Sequence, residues 1–368
     1  MKTGISVYCG LNTTQEKNLS LLERAAARGI TRLFTSLHIP ETDVSVFRSE
    51  LNTLLAKAKD LNFDVIADTA QAASVLLSSK ESNPSELMKL GITTLRLDDG
   101  FSPEDAAALL DTPGLRIQLN ASTVNREYLE KLKASGADMS RVDALHNYYP
   151  RENTGLDVEF FLEQNSLLHS FGISIGAFVA TIDPPDEPSA EERRRPPLFC
   201  GLPTLEDDRK LPTGLAIRHL AALGADSIFI GDGEPNDSEL DALSDVHADE
   251  VLTLHASVLT TDEETKAFLQ QTFTARPDKA RDVVRALESR GIIKKSGRTI
   301  RPMAPAPRPI GAVTLDNDTY PRYTGELEIV RRTLPADKRV NVIAQIDPEE
   351  IFLIETIRPG QKFRLRLD

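Results

Sequence analysis

Residues 91–105 read GITTLRLDDGFSPED, which is the order of a helix end, a short strand, an acidic loop and a helix start. Gly91 can adopt the left-handed conformation that ends a helix. Thr94–Leu97 is β-prone and apolar at alternate positions, and Asp98 follows it directly. Ser102 suits the N-cap of the next helix, with Pro103 at the first helical position. The segment predicts a strand that leads through a carboxylate-bearing loop into a helix.

The same unit recurs along residues 1–247. Eight short apolar segments alternate with helical patterns, and no hairpin signal joins any two of them. Eight βα units predict a parallel (β/α)8 TIM barrel, whereas a doubly wound sheet would need fewer strands and usually a Gly-rich phosphate turn. The predicted strands are Gly4–Tyr8, Arg32–Thr35, Asp64–Ala67, Thr94–Leu97, Arg116–Leu119, Arg141–Leu145, Ile173–Ala180 and Ser227–Ile230.

The composition changes after His247. Residues 248–300 are interpreted as a helical connection, and the Pro-rich run Arg301–Pro309 is typical of a stiff extended linker. Strand-like segments follow, which predicts a small C-terminal β domain over residues 301–368 that needs the support of the larger domain. These segments are Ile310–Thr314, Gly325–Val330, Arg339–Ile346 and Lys362–Leu367.

The chain of 368 residues has a formal net charge of −13 and 40% hydrophobic residues. This charge argues against a general binder of nucleic acid or of anionic membranes, although a local Arg cluster could still bind an anionic small molecule. The two cysteines, Cys9 and Cys200, do not make a disulfide framework. No apolar run is long enough to span a membrane, and the first residues do not resemble a signal peptide. We expect a cytoplasmic protein.

In a barrel of this kind the active site lies at the C-terminal ends of the strands. The residues predicted there are rich in carboxylates and amides and poor in other reactive groups. They are Glu41, Asp68, Asp98, Asp99, Asn120, His146, Asn147, Tyr149, Glu206, Arg209, Asp232 and Glu234.

This set of side chains excludes several kinds of chemistry. Barrel metallohydrolases need several His ligands, and only His38 and His146 are available at strand ends. A Schiff-base aldolase needs a Lys at a strand end and a Ser hydrolase needs a Gly-x-Ser-x-Gly elbow, and neither is present. We therefore predict no metal and no cofactor. Paired carboxylates remain, and their commonest reaction in a barrel is glycoside hydrolysis, in which one is protonated and the other ionised.

Each candidate also has a purely structural interpretation. Asp68 and Asp98 could cap the loops that follow them, although the barrel geometry favours a functional role. Asp99 precedes a glycine and is more typical of a turn. Glu206 lies in a charged loop, where solvated carboxylates are common. The run His146–Tyr149 is dense in hydrogen-bonding groups at a strand end, which favours a role in a site.

Several stretches of the chain together make a specific combination of motifs. They are FTSLHIPE (34–41), LRLD (95–98), LNAS (119–122), HNYYP (146–150), TGL (154–156), PTLE (203–206) with Arg209, DN (316–317) and RYTGEL (322–327). In this combination the chain resembles the bacterial 6-phospho-N-acetylmuramidase family over nearly its whole length. That family pairs a (β/α)8 barrel with a small cyclophilin-like β-barrel domain.

The resemblance implies hydrolysis of 6-phosphorylated N-acetylmuramic acid linked to N-acetylglucosamine, inside the cell, during peptidoglycan recycling. It implies Asp98 and Glu206 as the catalytic carboxylate pair, with Asp68 as the alternate. We expect Glu206 to be the acid, because a closing loop would desolvate it and raise its pKa.

The phosphate and the lactyl carboxylate of such a substrate call for Arg and amide donors. The residues expected to bind the substrate are Glu41, Asn120, His146, Asn147, Tyr149, Arg151, Arg209, Asp232, Asn317 and Arg322. Two alternatives stay open. One is a hydrolase or lyase for another phosphorylated glycoside on the same scaffold, and the other is a non-enzymatic sugar-phosphate sensor.

Overall fold

The structure, a computed structural model, describes residues 1–10, 14–37, 44–69, 84–98, 100–182, 200–232, 234–246 and 251–367, with only the backbone for 44–46. The chain forms two compact units, Met1–Ala248 and Asp249–Asp368.

The first unit is a closed barrel of eight parallel strands, β1 to β8, in sequential order. This confirms the predicted TIM barrel. The strands are β1 Lys2–Ser6, β2 Arg32–Ser36, β3 Asp64–Asp68, β4 Ile92–Leu97, β5 Arg116–Asn120, β6 Val142–Leu145, β7 Ser174–Val179 and β8 Ser227–Ile230. The helices in the described part of this unit are α1 Gln15–Ala27, α2 Val44–Asp60, α3 Pro84–Lys89, α4 Pro103–Leu110, α5 Arg126–Ala134, α6 Val158–His169, α7 Thr213–Ala222 and α8 Asp237–Asp245.

The segment around β4 has the local structure that its residues predict. Gly91 takes a φ of +105°, which a residue with a Cβ rarely adopts. Ser102 caps α4 and forms a reciprocal capping box with Asp105, and Pro103 occupies the first turn. The helix that follows Asp98 is therefore fixed at its first turn by local hydrogen bonds.

Alternate residues of the strands face opposite sides of the barrel wall. Leu95 and Leu97 of β4 pack in the large core between strands and helices. Phe34 and Phe178 belong to a separate aromatic cluster inside the barrel. This alternation decides which polar residues face the interior.

A buried ion cluster fills the barrel near the N-terminal ends of its strands. The Arg32 guanidinium lies 3.0 Å from the Asp64 carboxylate and 2.7 Å from that of Asp143. Gln118 donates a third hydrogen bond, 3.0 Å long, to Asp143. The Arg32 guanidinium also lies over the Phe229 ring, 5.3 Å from its centroid. This end of the barrel is closed by paired charges, so the open mouth is at the other end.

The second unit is a curled seven-stranded sheet with the order β10-β15-β9-β14-β12-β13-β11. An isolated bridge between Ala275 and Ala286 joins its two edge strands, with backbone hydrogen bonds of 2.9 and 2.8 Å beside it. The strands are β9 Val251–Val258, β10 Thr272–Thr274, β11 Val283–Arg285, β12 Ala312–Asp316, β13 Leu327–Val330, β14 Val340–Ile346 and β15 Lys362–Leu367. The described helices are α9 Glu263–Leu269 and α10 Ser289–Ser296, with a 3₁₀ helix at Pro348–Thr356.

This unit begins earlier than the sequence interpretation placed it. The segment 248–300, interpreted as a helical connection, contains both helices and also contributes β9, β10 and β11 to the sheet. Leu252, Leu254 and Ala256 are buried at alternate positions of β9, which is the period of a strand. β9 pairs with β14 and β15 and is therefore an inner strand of the sheet.

Candidate active site

The C-terminal ends of the barrel strands bring several of the predicted site residues to one rim. Asp68 is the last residue of β3, Asp98 follows β4, Asn120 ends β5 and Asp232 follows β8. In parallel strands these ends all lie on the same face of the barrel. Glu41, His38 and Asp99, which were also predicted there, lie outside the described residues.

Asp98 lies beside a cleft of about 160 Å³ that Asn120, Phe101, Asn125 and Tyr128 also line. The Asn120 amide donates a 2.9 Å hydrogen bond to the Asp98 carboxylate. The Asn120 oxygen accepts from the backbone N–H of Ser122, which orients the amide. Asp98 therefore has a fixed, neutral partner. The cleft combines a carboxylate, amides and aromatic rings, a set of groups that suits part of a sugar.

Arg96 is a central residue of the mouth that the sequence interpretation missed. Its side chain is 3% exposed, and its Nε lies 4.0 Å from the Asp68 carboxylate. Its two terminal nitrogens donate to the carbonyl of Leu145, at 2.7 Å, and to the side-chain oxygen of Asn147. One buried cation thus holds the end of β3 and the start of the loop after β6 together. The available signal was a charged residue between two leucines in a short apolar strand.

Tyr148 and Tyr8 form an aromatic group at the mouth, with ring centroids 6.3 Å apart. Burial raises the pKa of Tyr148, and the negative charges of Asp68 and Asp98 add to this effect. Burial is also the largest cause of the raised pKa of Tyr8. Both hydroxyls are therefore neutral, and that of Tyr148 lies within the electrostatic influence of Asp68 and Asp98. Tyr149, which was predicted to bind the substrate, is half-buried, and its backbone N–H donates to Pro203 at 3.0 Å.

The Glu206 carboxylate accepts four hydrogen bonds, an arrangement that does not match its predicted role as the acid. It accepts from the backbone N–H groups of Asn153 and Gly155 at 2.8 and 2.7 Å. Arg209 binds it through Nε and Nη2, both at 2.7 Å. The hydrogen bonds from Arg209 are the largest cause that lowers the pKa of Glu206, to about 2. The expectation of a raised pKa for Glu206 is wrong, because hydrogen bonding to the ionised form outweighs its partial burial.

Gly155 makes this close approach possible. A Cβ at position 155 would lie 2.7 Å from both the backbone nitrogen and the Oε2 of Glu206. The neighbouring loops also pair through backbone bonds of Leu156 with Thr204 and Glu206, 2.9 and 3.0 Å long. Glu206 therefore joins the loop after β6 to the segment 203–209.

The low pKa of Glu206 predicts how this contact depends on pH. Because the folded-state pKa of Glu206, about 2, is below the ordinary glutamate value of 4.5, the stability that Glu206 contributes is fully present above about pH 5. It is lost as the pH falls from about 4.5 to about 2. We expect Glu206→Gln to lower the free energy of unfolding by about 1–2 kcal/mol at pH 7. The difference from wild type should shrink steadily between pH 5 and pH 2.5 in urea titrations. A difference that does not change with pH would show that the carboxylate charge is irrelevant.

Arg209 and Arg151 were both predicted to bind the substrate, but they differ in their availability. Arg209 is buried and is already bound by Glu206, by the carbonyl of Cys200 at 3.0 Å and by the carbonyl of Arg151 at 3.2 Å. The Arg151 side chain is exposed and makes no ion pair with any described residue. Of these two cations, Arg151 is the one that can reach an anionic ligand without breaking an existing contact.

His146 lies behind the mouth and not in it. Its ring is fully buried against Phe161 of α6, with the ring centroids 4.7 Å apart. Its nitrogens face Ser122 at 3.2 Å and Asn165 of α6 at 3.0 Å. Burial is the main cause that lowers its pKa to about 4. The predicted contact of His146 with the substrate is therefore contradicted by the geometry. Its role is to support Ser122, whose hydroxyl accepts from the N–H of Asn147.

Of the remaining residues predicted to bind the substrate, one lies in the barrel and two lie in the second unit. Asp232 is buried at the barrel rim and accepts from the backbone N–H of Thr181 at 2.7 Å. Asn317 and Arg322 belong to the second unit. The Asn317 side chain is fully buried and binds Asn341, Lys338 and Thr319, so the structure gives it a structural role there. Arg322 is exposed, and its binding role stays a prediction.

Within the described ranges, no group of three His, Cys, Asp or Glu side chains has the arrangement of a metal site. The helices in those ranges also include none that is both long and apolar enough to cross a membrane.

Two family models match consecutive parts of the chain. The N-terminal model, described as 6-phospho-N-acetylmuramidase, N-terminal, covers residues 3–245. The C-terminal model of the same family covers residues 252–366. The chain belongs to the 6-phospho-N-acetylmuramidase family. The boundary between the two family models coincides with the boundary between the barrel and the curled sheet.

Two solved structures are similar to this member of the 6-phospho-N-acetylmuramidase family. An uncharacterized B. cereus protein shares 30% identity with a TM-score of 0.81, and the match covers 99% of each chain. A conserved Enterococcus faecalis protein of unknown function shares 32% identity with a TM-score of 0.67, over 100% of this chain and 97% of the other. No curated protein matches the chain.

Proposed function

We propose that the chain hydrolyses the glycosidic bond of 6-phosphorylated N-acetylmuramyl-N-acetylglucosamine in the cytoplasm, as a step in recovery of cell-wall sugars. The observation that carries the proposal is the match of both family models along the chain, together with two carboxylates, Asp68 and Asp98, at the mouth of the barrel. The proposed reaction breaks the bond between C1 of the muramyl sugar and the leaving oxygen. Water then adds at C1, and the proton that it releases replaces the one that the leaving oxygen has taken up.

We assign Asp98 as the proton donor and Asp68 as the ionised carboxylate. The Arg96 guanidinium, 4.0 Å from Asp68, favours the ionised form of that carboxylate, which can stabilise positive charge at C1. Asp98 has a neutral amide partner and faces the cleft, where it can donate a proton to the leaving oxygen. Both residues end neighbouring, hydrogen-bonded strands, so their backbones are close.

Glu206 has a different role in this proposal from the one that the resemblance implied. Its carboxylate accepts four hydrogen bonds, two on each oxygen, which lower its pKa and leave neither oxygen free to face a leaving group. It fixes the loop 151–155, and the exposed guanidinium of Arg151 on that loop is the proposed donor to the substrate phosphate. Asn120 and Asn147, both oriented by hydrogen bonds, are the proposed partners of the sugar amide and hydroxyl groups.

The direct test is product formation from the 6-phosphorylated disaccharide and from the same disaccharide without phosphate. We expect the phosphorylated substrate to give N-acetylmuramic acid 6-phosphate and N-acetylglucosamine, identified by mass spectrometry. Its kcat/KM should exceed that of the unphosphorylated disaccharide by about tenfold or more, because charged hydrogen bonds to phosphate are lost in the second case. Binding of the phosphorylated disaccharide without any product would favour a sugar-phosphate sensor instead.

A further inference from the structure

A cationic cleft lies in the C-terminal unit, at the seam where β10 and β11 close the curled sheet. Its volume is about 10 Å³, which is room for one water molecule or one ligand oxygen. The chain as a whole is acidic, with a net charge of −13, but the charged residues that line this cleft are four cations and one carboxylate. They are Arg276, Lys279, Arg285, Arg331 and Asp278.

Arg331 is the unusual member of this group. Its residue is 6% exposed, and it makes no ion pair with any described carboxylate. One terminal nitrogen donates to the carbonyls of Ile354 and Ile357 at 3.3 and 2.9 Å. Its Nε is buried and has no hydrogen-bond partner in the described part of the chain. A buried guanidinium stays charged, and leaving one of its donors unpaired costs free energy.

The other three cations differ in how far they are already neutralised. Arg276 binds Asp278 at 2.9 and 3.1 Å. Arg285 lies 2.8 Å from the buried Glu326. Lys279 is exposed and makes no ion pair with a described residue. The cleft is thus lined by two cations that have no carboxylate partner among the described residues, the buried Arg331 and the exposed Lys279.

We propose that this cleft is a binding site for a phosphate group, either inorganic phosphate or a phosphate monoester. One phosphate oxygen enters the cleft and accepts the hydrogen bond from the Arg331 Nε–H. The other oxygens stay outside, where a tetrahedral oxyanion can contact Lys279 and Arg276. A planar carboxylate that places one oxygen at Arg331 has only one oxygen left for the opening, so phosphate fits the spread of the cations better. The site lies within the second unit and does not depend on the barrel carboxylates.

The experiment follows inorganic phosphate binding to the full-length chain with ¹⁵N-arginine labelling. The Nε–H resonance of Arg331, assigned by its loss in Arg331→Lys, should shift as phosphate is added and saturate. Acetate and chloride at equal ionic strength are the comparison anions. Isothermal titration on the same protein gives the dissociation constant.

Three variants locate the binding. Arg331→Lys should weaken phosphate binding by about tenfold or more, because the charge stays but the Nε donor is lost. Lys279→Gln, an exposed change that leaves the fold intact, should weaken it by about threefold. Lys295→Gln, an exposed lysine on α10 outside the cleft, is the matched control and should bind as wild type.

Measurements of turnover distinguish phosphate binding in this cleft from the proposed hydrolysis in the barrel. Turnover of the phosphorylated disaccharide should be unchanged in Lys279→Gln, so loss of phosphate binding there is independent of the proposed hydrolysis. The proposal is overturned if phosphate leaves the Arg331 Nε–H resonance unmoved, or if Lys279→Gln and Arg331→Lys both bind phosphate as tightly as wild type. An equal response to acetate would overturn the preference for phosphate.

Discussion

Asp98→Asn should lower kcat for the 6-phosphorylated disaccharide by about 10²- to 10⁴-fold, with little change in the free energy of unfolding. The amide has the shape of the carboxylate and can still accept the 2.9 Å hydrogen bond from Asn120, so the cleft is preserved. What is lost is the proton for the leaving oxygen. Initial rates under saturating substrate, with urea unfolding of the same samples, measure both quantities.

The leaving group distinguishes the two proposed carboxylate roles. An aryl glycoside of the 6-phosphorylated muramyl sugar departs without protonation, so it should restore much of the rate of Asp98→Asn. The aryl glycoside should not restore the rate of Asp68→Asn, because the positive charge that develops at C1 is still not stabilised by the Asp68 carboxylate. Asp111→Asn, an exposed carboxylate at the end of α4, is the control and should retain wild-type turnover. Equal rescue of both variants would contradict the assignment.

Glu206→Gln belongs in the same series. Because Glu206 acts on the loop that carries Arg151, its removal should raise KM more than it lowers kcat. If Glu206→Gln instead abolished turnover of both the disaccharide and the aryl glycoside, at unchanged KM and unchanged stability, Glu206 would be a catalytic residue.

The largest expected effect on stability comes from Asp143→Ala in the ion cluster of the barrel. Removal of this carboxylate takes away the 2.7 Å partner of a buried Arg32 and the acceptor of Gln118. We expect a loss of about 3–5 kcal/mol, since the desolvated guanidinium stays charged and keeps only the partly exposed Asp64 as a partner. Amide hydrogen exchange in peptides from β2, β5 and β6 measures the loss in the barrel without contribution from the second unit.

Two further variants define the cause of that loss. Asp241→Ala removes the partner of Arg28, 2.6 Å away, in an exposed ion pair. That change should cost less than about 1 kcal/mol, because water replaces the partner. Arg32→Met combined with Asp64→Asn and Asp143→Leu removes all three charges of the cluster and should be more stable than Asp143→Ala alone. A triple variant as unstable as Asp143→Ala would indicate that lost packing, and not an unpaired charge, is responsible.

The barrel was predictable because its signals are local. Gly91 and Ser102 mark a helix end and a helix start through their own backbone preferences, and short apolar segments between such signals repeat eight times. The rim positions of Asp68, Asp98 and Asn120 followed from this count, since all parallel strands of a barrel end on one side. The segment 248–300 was misinterpreted because it mixes two helices with three strands, two of which are only three residues long and too short for a periodic pattern.

His146 shows what periodicity leaves open. Strands of a parallel barrel are apolar on both faces, so the alternation does not reveal which residues face the interior. Leu145 lies in the interior cluster, and its neighbour His146 therefore faces α6. Arg96 was missed for the same reason, because its inward direction becomes visible only when Phe34 and Asn147 are seen around it.

Taken alone, the sequence determined the barrel, the existence of a β-rich C-terminal part, and a rim rich in carboxylates and amides. The hydrogen-bond partners of the side chains at that rim, and the directions of their pKa shifts, were decided by the tertiary structure. Glu206 and Arg209 are three residues apart, and this spacing is compatible with a solvated Glu206 carboxylate or with one that is bound by Arg209. In the folded chain the carboxylate is bound, because the N–H groups of Asn153 and Gly155, about 50 residues away along the chain, also donate to it. A pKa depends on the donors and charges that folding brings around a group, and these come from distant parts of the chain.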